Sequence, residues 1–459
     1  MKRVLMFALV LVTAATLGCG AGSGNFTQPG PAGVFVTGED APLSSVVSFQ
    51  LTLNSVTLIG QKNQPQVVTN TTVDWARLIG LRSPLAFSSV PADTYNSVTI
   101  TVSSPVITYV DMTKNPPALN TINGTLPANP YTVTVNLPSP MVVGNSGLAG
   151  LKLELDIRQS VAVDGSGNVT GSVNPIFYAK ATKASDPDGQ VTDLMGGLVS
   201  VNSGKNSFVL QGPYGRQLTI YVNNSTLFNS GWSINNLATP AFVAVQGRFQ
   251  ADGSLLADSV EVITTAHSFL SGRVLQVVAN TSGQAQQVTM WVGETGADLV
   301  ADVDTIQTID ISAVSDSSYE ICFFDNALTQ MVFNNTSLIV GQRIFIGGDY
   351  AGGVFTPTMI SLRRQGVYGL FNVGSVTVTN GNAGSFTISN NGLAGYLTGG
   401  TVTVDTFNAT VFWNLSGLSQ LQTETTAIPI IARGLFLKNP STGNPTFYAG
   451  FVADPQQSN

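Results

Sequence analysis

The residues able to do acid–base or nucleophilic work are few. One histidine, His267, stands in "TTAHSFL". A single imidazole excludes metal sites built from several histidines, and any Ser-His-Asp relay would depend on that residue alone. It falls at the expected junction of two repeats, where it reads as a linker residue. Cys322 lies in the apolar run "YEICFF" (319–324) and reads as a buried core thiol, since free cysteine is among the most buried residue types. Glu154 and Asp156 in "LKLELDIRQS" (151–160) would share one strand face about 7 Å apart. That separation suits the paired carboxylates of a glycosidase. Lys152 and Arg158 flank them on the same face, however, and the group reads as a solvated strand surface.

Between Arg273 and Arg343 there is no Lys or Arg, while Glu294, Asp298, Asp302, Asp304, Asp310, Asp316, Glu320 and Asp325 are all acidic. Convergence of several would attract calcium, which takes six to eight oxygen ligands. Their spacing matches no calcium loop, so a solvated acidic surface is expected and a cation site is the alternative. Asp186, Asp188 and Asp193 surround Gly189 in "SDPDGQVTD" (185–193). They lack the later ligands of an EF-hand loop, and turn chemistry accounts for them. Trp232, Trp291, Trp413 and Tyr221 could stack on sugar rings, although large aromatics in small barrels more often fill cores. No catalytic, cofactor or metal residue is assigned, and no enzyme is expected.

What must position these side chains is a chain with only 10% charged residues and 47 glycines in 459, against about 25% charged in an average soluble protein. Gly, Ser, Thr, Asn and Val fill the gap, a mixture poor in helix formers and rich in strand and turn residues. From Val34 onward, short alternating runs are broken by Gly, Asn, Asp and Pro every 8 to 12 residues, the spacing of a sandwich or barrel. In residues 151–160, Leu151, Leu153, Leu155 and Ile157 take one face of a strand, with the charged residues on the other. The predicted fold is all-β: an N-terminal β-sandwich over 34–182, then about three small β-barrel repeats over 194–264, 268–363 and 365–454. A polar linker, "KASDPDGQVTD" (183–193), separates the sandwich from the repeats. The net charge of −7, without basic clusters, argues against nucleic acid.

Each repeat opens with a β run, as in "MGGLVSVNSGKNSFVLQ" (195–211), and closes with a β run, Gly, strand, turn and strand, as in "FVAVQGRFQADGSLLADSVEV" (242–262). The closing pattern resembles a small β-barrel domain of unknown function found repeated in bacterial envelope proteins. The repeats differ in length, which suits separate beads with their own cores better than a solenoid. Residues 34 to about 165 resemble an uncharacterised domain family of bacterial envelope lipoproteins. "GVFVTGEDAPLSSVVSFQLTLNSVTL" (33–58), "TVDWARLIG" (72–80), "VPADTYNSVTITVSS" (90–104) and "LKLELDIRQSV" (151–161) carry that resemblance. Asp40-Ala41-Pro42 is its hallmark, and Glu39 stands where Thr is more usual. The resemblance implies a β-sandwich and an envelope setting, with no activity to carry over.

Met1-Lys2-Arg3 and the apolar residues 4–17, "VLMFALVLVTAATL", read as a signal peptide over 1–18. As a helix the apolar run spans about 21 Å, short of the roughly 30 Å hydrocarbon core. Removing Lys2 and Arg3 with it takes the net charge to −9. "TLGCG" (16–20) resembles the lipobox of bacterial lipoproteins, with Thr16 in place of the usual Leu. The resemblance implies that Cys19 becomes the lipidated first residue of the mature chain. Residues 19–33 suit a flexible tether, and two or more acyl chains would anchor it stably. With Cys19 lipidated, Cys322 has no disulfide partner in the chain.

The expected protein is therefore a lipid-anchored bacterial envelope protein, placed at the outer membrane because Gly20 is not the Asp of inner-membrane retention. Its expected role is non-catalytic, structural or adhesive, toward an envelope protein or polysaccharide. A glycan- or calcium-binding surface module is the alternative, and no cofactor is expected.

Overall fold

In a computed structural model of the chain, the described residues are 32–455 apart from 79–80, 166–167, 213–215, 266–267, 324–330 and 391. Cys19, the signal segment, His267 and Asp325 lie outside them. The protein is all-β, with only short helical turns between strands.

The N-terminal unit is a two-sheet sandwich. One sheet runs Phe177–Thr182, Leu148–Asp156, Gly33–Ala41, Ser83–Ser89. Gly33–Ala41 and Leu148–Asp156 pair in parallel, with Glu39 opposite Glu154. The other sheet centres on Val46–Gly60 and Asp93–Asp111. Alternation along these strands turns Leu51, Leu53, Val56, Leu58, Val98, Ile100 and Val102 into the core, and sends threonine the other way. Threonine hydroxyls meet across strands, as in Thr52–Thr72 at 3.0 Å and Thr101–Thr132 at 3.1 Å. Such cross-strand pairs replace the ion pairs a more charged chain would use there.

Three repeats follow, with strands over Gln190–Thr264, Phe269–Leu362 and Gln365–Ala453. The first two have one topology: numbering their six strands in chain order, the sheet reads 3-2-1-5-6-4. All three share an antiparallel 1-5-6 core joined to strand 4 in parallel. In the first repeat the Ile220–Leu255 pairing closes the sheet into a barrel, and in the third the pairing of Gln365–Phe371 with Ala383–Asn390 does so.

The recurring glycine of the closing pattern has a structural cause. Register shifts fall at Gln246/Gly247, Gly347/Gly348 and Arg433/Gly434. A Cβ at Gly247, Gly348 or Gly434 would lie 2.3, 2.2 or 1.9 Å from a carbonyl oxygen of the partner strand. Glycine marks a bulge where two backbones close up.

Two sequence expectations are corrected. The repeats are not beads with separate cores. Phe35 and Phe87 of the sandwich join the first repeat's core, and Leu435, Leu437 and Tyr448 of the third join the second's. A further cluster unites Val47 and Val110 with Leu275, Trp291 and Leu393. Sheets apolar on both faces must cover the second face with a neighbour. The segment 183–193 is also not wholly a linker: Gln190–Asp193 opens the strand Gln190–Asn202, and Asp193 is buried.

Candidate functional site

The charged face of Leu148–Asp156 is not solvated, which corrects the sequence reading of that strand. Lys152, Glu154 and Asp156 are 5%, 7% and 0% exposed. The strand sits second in its sheet, and its polar face packs toward the third repeat. Glu39 on the neighbouring strand takes Lys152 as an ion pair, accepts from Arg433 Nη2 at 2.8 Å, and lies 3.9 Å from Arg82 Nε. Arg433 and Arg82 both lie over the Phe451 ring, at 4.3 and 5.6 Å from its centroid. The alternation also ends one step early: Asp156 caps a helical turn, Ile157–Ser160, by accepting from Gln159 N at 2.9 Å.

Burial alone would raise the Glu39 pKa, but Lys152, Arg433 and Arg82 hold it down at about 2. Glu154 is pushed the other way, to about 7, by burial and despite Lys152, with the Glu39 and Asp156 charges adding to the rise. Asp40 is raised well above the ordinary carboxylate value by burial and by Glu154. This carboxyl-rich seam therefore holds a mixture of ionised and protonated acids near neutral pH.

A second seam joins the first two repeats. Arg363, fully buried, donates two hydrogen bonds to Glu261 at 2.8 and 2.9 Å and a third to Asp193 at 3.3 Å. Arg343 also pairs with Asp193, and donates to the Arg364 carbonyl at 3.0 Å. Arg364 donates to Gln246 at 2.8 Å. Cys322, buried as expected, packs against this seam, and burial pushes its thiol up to about 12. A third tie links the sandwich to the second repeat. Arg77 stacks over Trp291 and bonds Asp74 at 2.7 Å, Asp304 at 2.8 Å and the Gly293 carbonyl.

Between these ties lies a cavity of about 550 Å³, with walls from all four units. The sandwich contributes Arg77, Leu81 and Arg82; the first repeat Leu194 and Leu218. The second repeat contributes Arg273, Trp291 and Arg343, and the third Val367 and Leu393. The lining is mainly apolar, with arginines prominent among its polar groups. Arg273 stands directly across the strand pair from Arg343. Burial and that neighbouring guanidinium lower its pKa to about 9, so it remains cationic at neutral pH.

Other sequence candidates are dispersed. Asp298 accepts from Ser268, Asp302 from Gln307, Asp310 from Ser312 and Asp316 from the Asn335 amide. Asp304 is taken by Arg77, Glu294 lines the cavity, and the Glu320 carboxyl is raised by partial desolvation and by Glu261. Among the described residues no three acidic, His or Cys side chains converge as a metal site. Asp186 accepts from the Lys183 amide, whereas Asp193 belongs to the second seam. Trp291 is buried; Trp232, Trp413 and Tyr221 are partly buried.

The sequence reading missed Arg82, Arg273, Arg343, Arg363, Arg433 and Glu261. A signal for them existed: in a chain with 19 basic residues, arginines set inside apolar strand runs, as in "IIARGLF" and "MISLRRQGVYG", have no reason to be there on a solvated face.

The profile of a family described as "Domain of unknown function (DUF5666)" matches residues 196–261, most of the first repeat. No curated protein matches the chain.

Proposed function

We propose that the chain is a non-catalytic structural protein of the bacterial envelope, held at the membrane by lipid on Cys19, whose β units act as one clamped body. The observation that carries this reading is the set of buried ion pairs between units, Glu39–Arg433 and Arg363–Glu261 above all. A flexible string of adhesive modules needs polar, separable linkers. Here the joints are where this weakly charged chain places many of its charges, and the apolar cores run across them. A clamped body suits a fixed spacer or docking platform between the membrane and an envelope protein or polymer.

The glycan- and calcium-binding alternatives gain less support. The buried Trp291 already stacks with Arg77, and Asp298, Asp302, Asp310 and Asp316 are each engaged by a separate protein donor.

The test is cross-linking in intact cells followed by mass spectrometry, with Cys19→Ser as control. A partner captured reproducibly by the wild type and lost in the variant is the expected result. Equal capture by both, or release of the wild-type protein with the soluble fraction, would overturn the anchored reading. Absence of any partner would overturn the structural one.

A further inference from the structure

Arg273, partly buried, is the anomaly of the cavity wall. It faces a cavity, carries a full charge, and makes no side-chain hydrogen bond or ion pair among the described residues. Its cross-strand neighbour is another arginine, an arrangement that is destabilising by itself. Arg343 spends its donors on Asp193, the Arg364 carbonyl and the Met195 sulfur. The carboxylates in the same wall do not relieve Arg273. Asp74 is held by Ser48, the Phe49 amide and Arg77, and Asp193 by Arg343 and Arg363. Glu294 makes no ion pair with Arg273, and its Oε2 has no hydrogen-bond partner among the described residues.

A partly buried cation beside a second cation, with no counter-charge, is costly and is normally paired. Arginine cannot escape by losing its proton near neutral pH, and the counter-charge it lacks is an anion. The rest of the wall defines what that anion carries. Leu81, Leu85, Leu194, Leu218, Val367 and Leu393 offer an apolar lining, and the volume falls within the roughly 300–1,000 Å³ of small-molecule sites. An inorganic anion would leave that lining unused, and a neutral oil would leave Arg273 unmet.

We propose that this cavity binds a small amphipathic carboxylate, its apolar body between the four units and its carboxylate on Arg273. A carboxylate accepts two parallel N–H bonds from a guanidinium, the geometry that favours arginine over lysine for such a head group. Because every unit supplies part of the wall, the ligand would also bind best to the closed assembly. This inference does not rest on the envelope reading, and holds whether or not the chain is lipidated.

The experiment uses the purified protein and 11-(dansylamino)undecanoate, with the methyl ester of the same molecule as neutral comparator. The acid should bind saturably with a dansyl emission increase, and the ester at least tenfold more weakly. Arg273→Met should weaken the acid at least tenfold while leaving the ester unchanged. Arg273→Lys, which keeps the charge, should recover part of the loss. Without added dansyl compound, Arg273→Met should melt at or above the wild-type temperature, because it removes an uncompensated cation. Glu294→Gln should tighten the acid by removing a repelling charge. Equal affinity for acid and ester, equal binding by wild type and Arg273→Met, displacement by millimolar inorganic phosphate, or no saturable binding would each overturn the proposal.

Discussion

The two buried seams solve the same problem with opposite charge balances. At the joint of sandwich and third repeat, Glu39, Asp40, Glu154 and Asp156 outnumber the buried cations Lys152, Arg82 and Arg433. Between the first two repeats, Arg343, Arg363, Arg364 and the nearby Arg273 outnumber Asp193 and Glu261. An acid-rich seam can adjust by taking up protons, and Asp40 and Glu154 are accordingly raised. An arginine-rich seam has no such outlet near neutral pH. Proton uptake makes the first seam pH-sensitive; the second must be balanced by geometry, or by a bound anion.

The largest effect should come from breaking the second seam at its centre. Arg363→Met leaves Glu261 buried with its ion-pair partner gone and Asp193 with Arg343 only, and removing one partner of a buried pair costs about 3–5 kcal/mol. The urea midpoint should fall accordingly. Adding Glu261→Met should restore a good part of the loss, since an apolar replacement of a whole pair is often tolerated. A single variant costing under about 1 kcal/mol would mean that the seam is hydrated in solution.

The first seam should instead betray itself by pH. Glu154 has a folded pKa of about 7 against an ordinary 4.5, so the native state binds more protons between those values. Its contribution is full below about pH 4.5 and is lost as pH rises toward 7, about 3 kcal/mol in all at roughly 1.4 kcal/mol per unit. Glu39 acts in the opposite sense. Its folded value of about 2 gives stability that is present above pH 4.5 and lost as pH falls toward 2. Stability should therefore peak near pH 4.5, and Glu154→Gln should flatten the fall between 4.5 and 7. An unchanged profile in that variant would assign the fall to other groups. The second seam gives no comparable signal in this window.

How much of this was legible in the sequence depends on which level is asked. The all-β class followed from period-2 runs such as Leu151, Leu153 and Leu155, and the repeats from a glycine that marks a bulge. Both are local signals, fixed within ten or twenty residues. The seams were illegible for the same reason. Lys152, Glu154 and Asp156 alternate with leucines just as a solvated face would, and nothing nearby in sequence reveals that Arg433 lies against them. Asp193 looked like turn chemistry because its partners, Arg343 and Arg363, are 150 and 170 residues away. The useful hint was scarcity: where charges are few, a charge inside an apolar run is more often paired than exposed. That hint marks arginines such as Arg363 and Arg433, but it does not say which acid each one meets.

The smallest predicted effect separates the seams by how they hold guanidinium groups. In the second seam Arg363 is pinned by a two-pronged carboxylate. In the first, Arg433 donates to Glu39 through Nη2 and lies 4.3 Å over the Phe451 ring, with Arg82 sharing that ring from 5.6 Å. A cation over an aromatic face is worth about 0.5–2 kcal/mol, more when desolvated. Phe451→Leu keeps an apolar side chain at the position and removes the ring's negative face, so a loss of about 1 kcal/mol is expected. Packing changes would contribute to that number, and a double-mutant cycle with Arg433→Met isolates the charge–ring part. A coupling near 1 kcal/mol would show that the ring stands in for a second carboxylate, which the acid-rich seam could not add without raising its own pKa values further. A coupling near zero would mean that the ring only fills space and that polar contacts such as the one with Glu39 hold Arg433 at the joint.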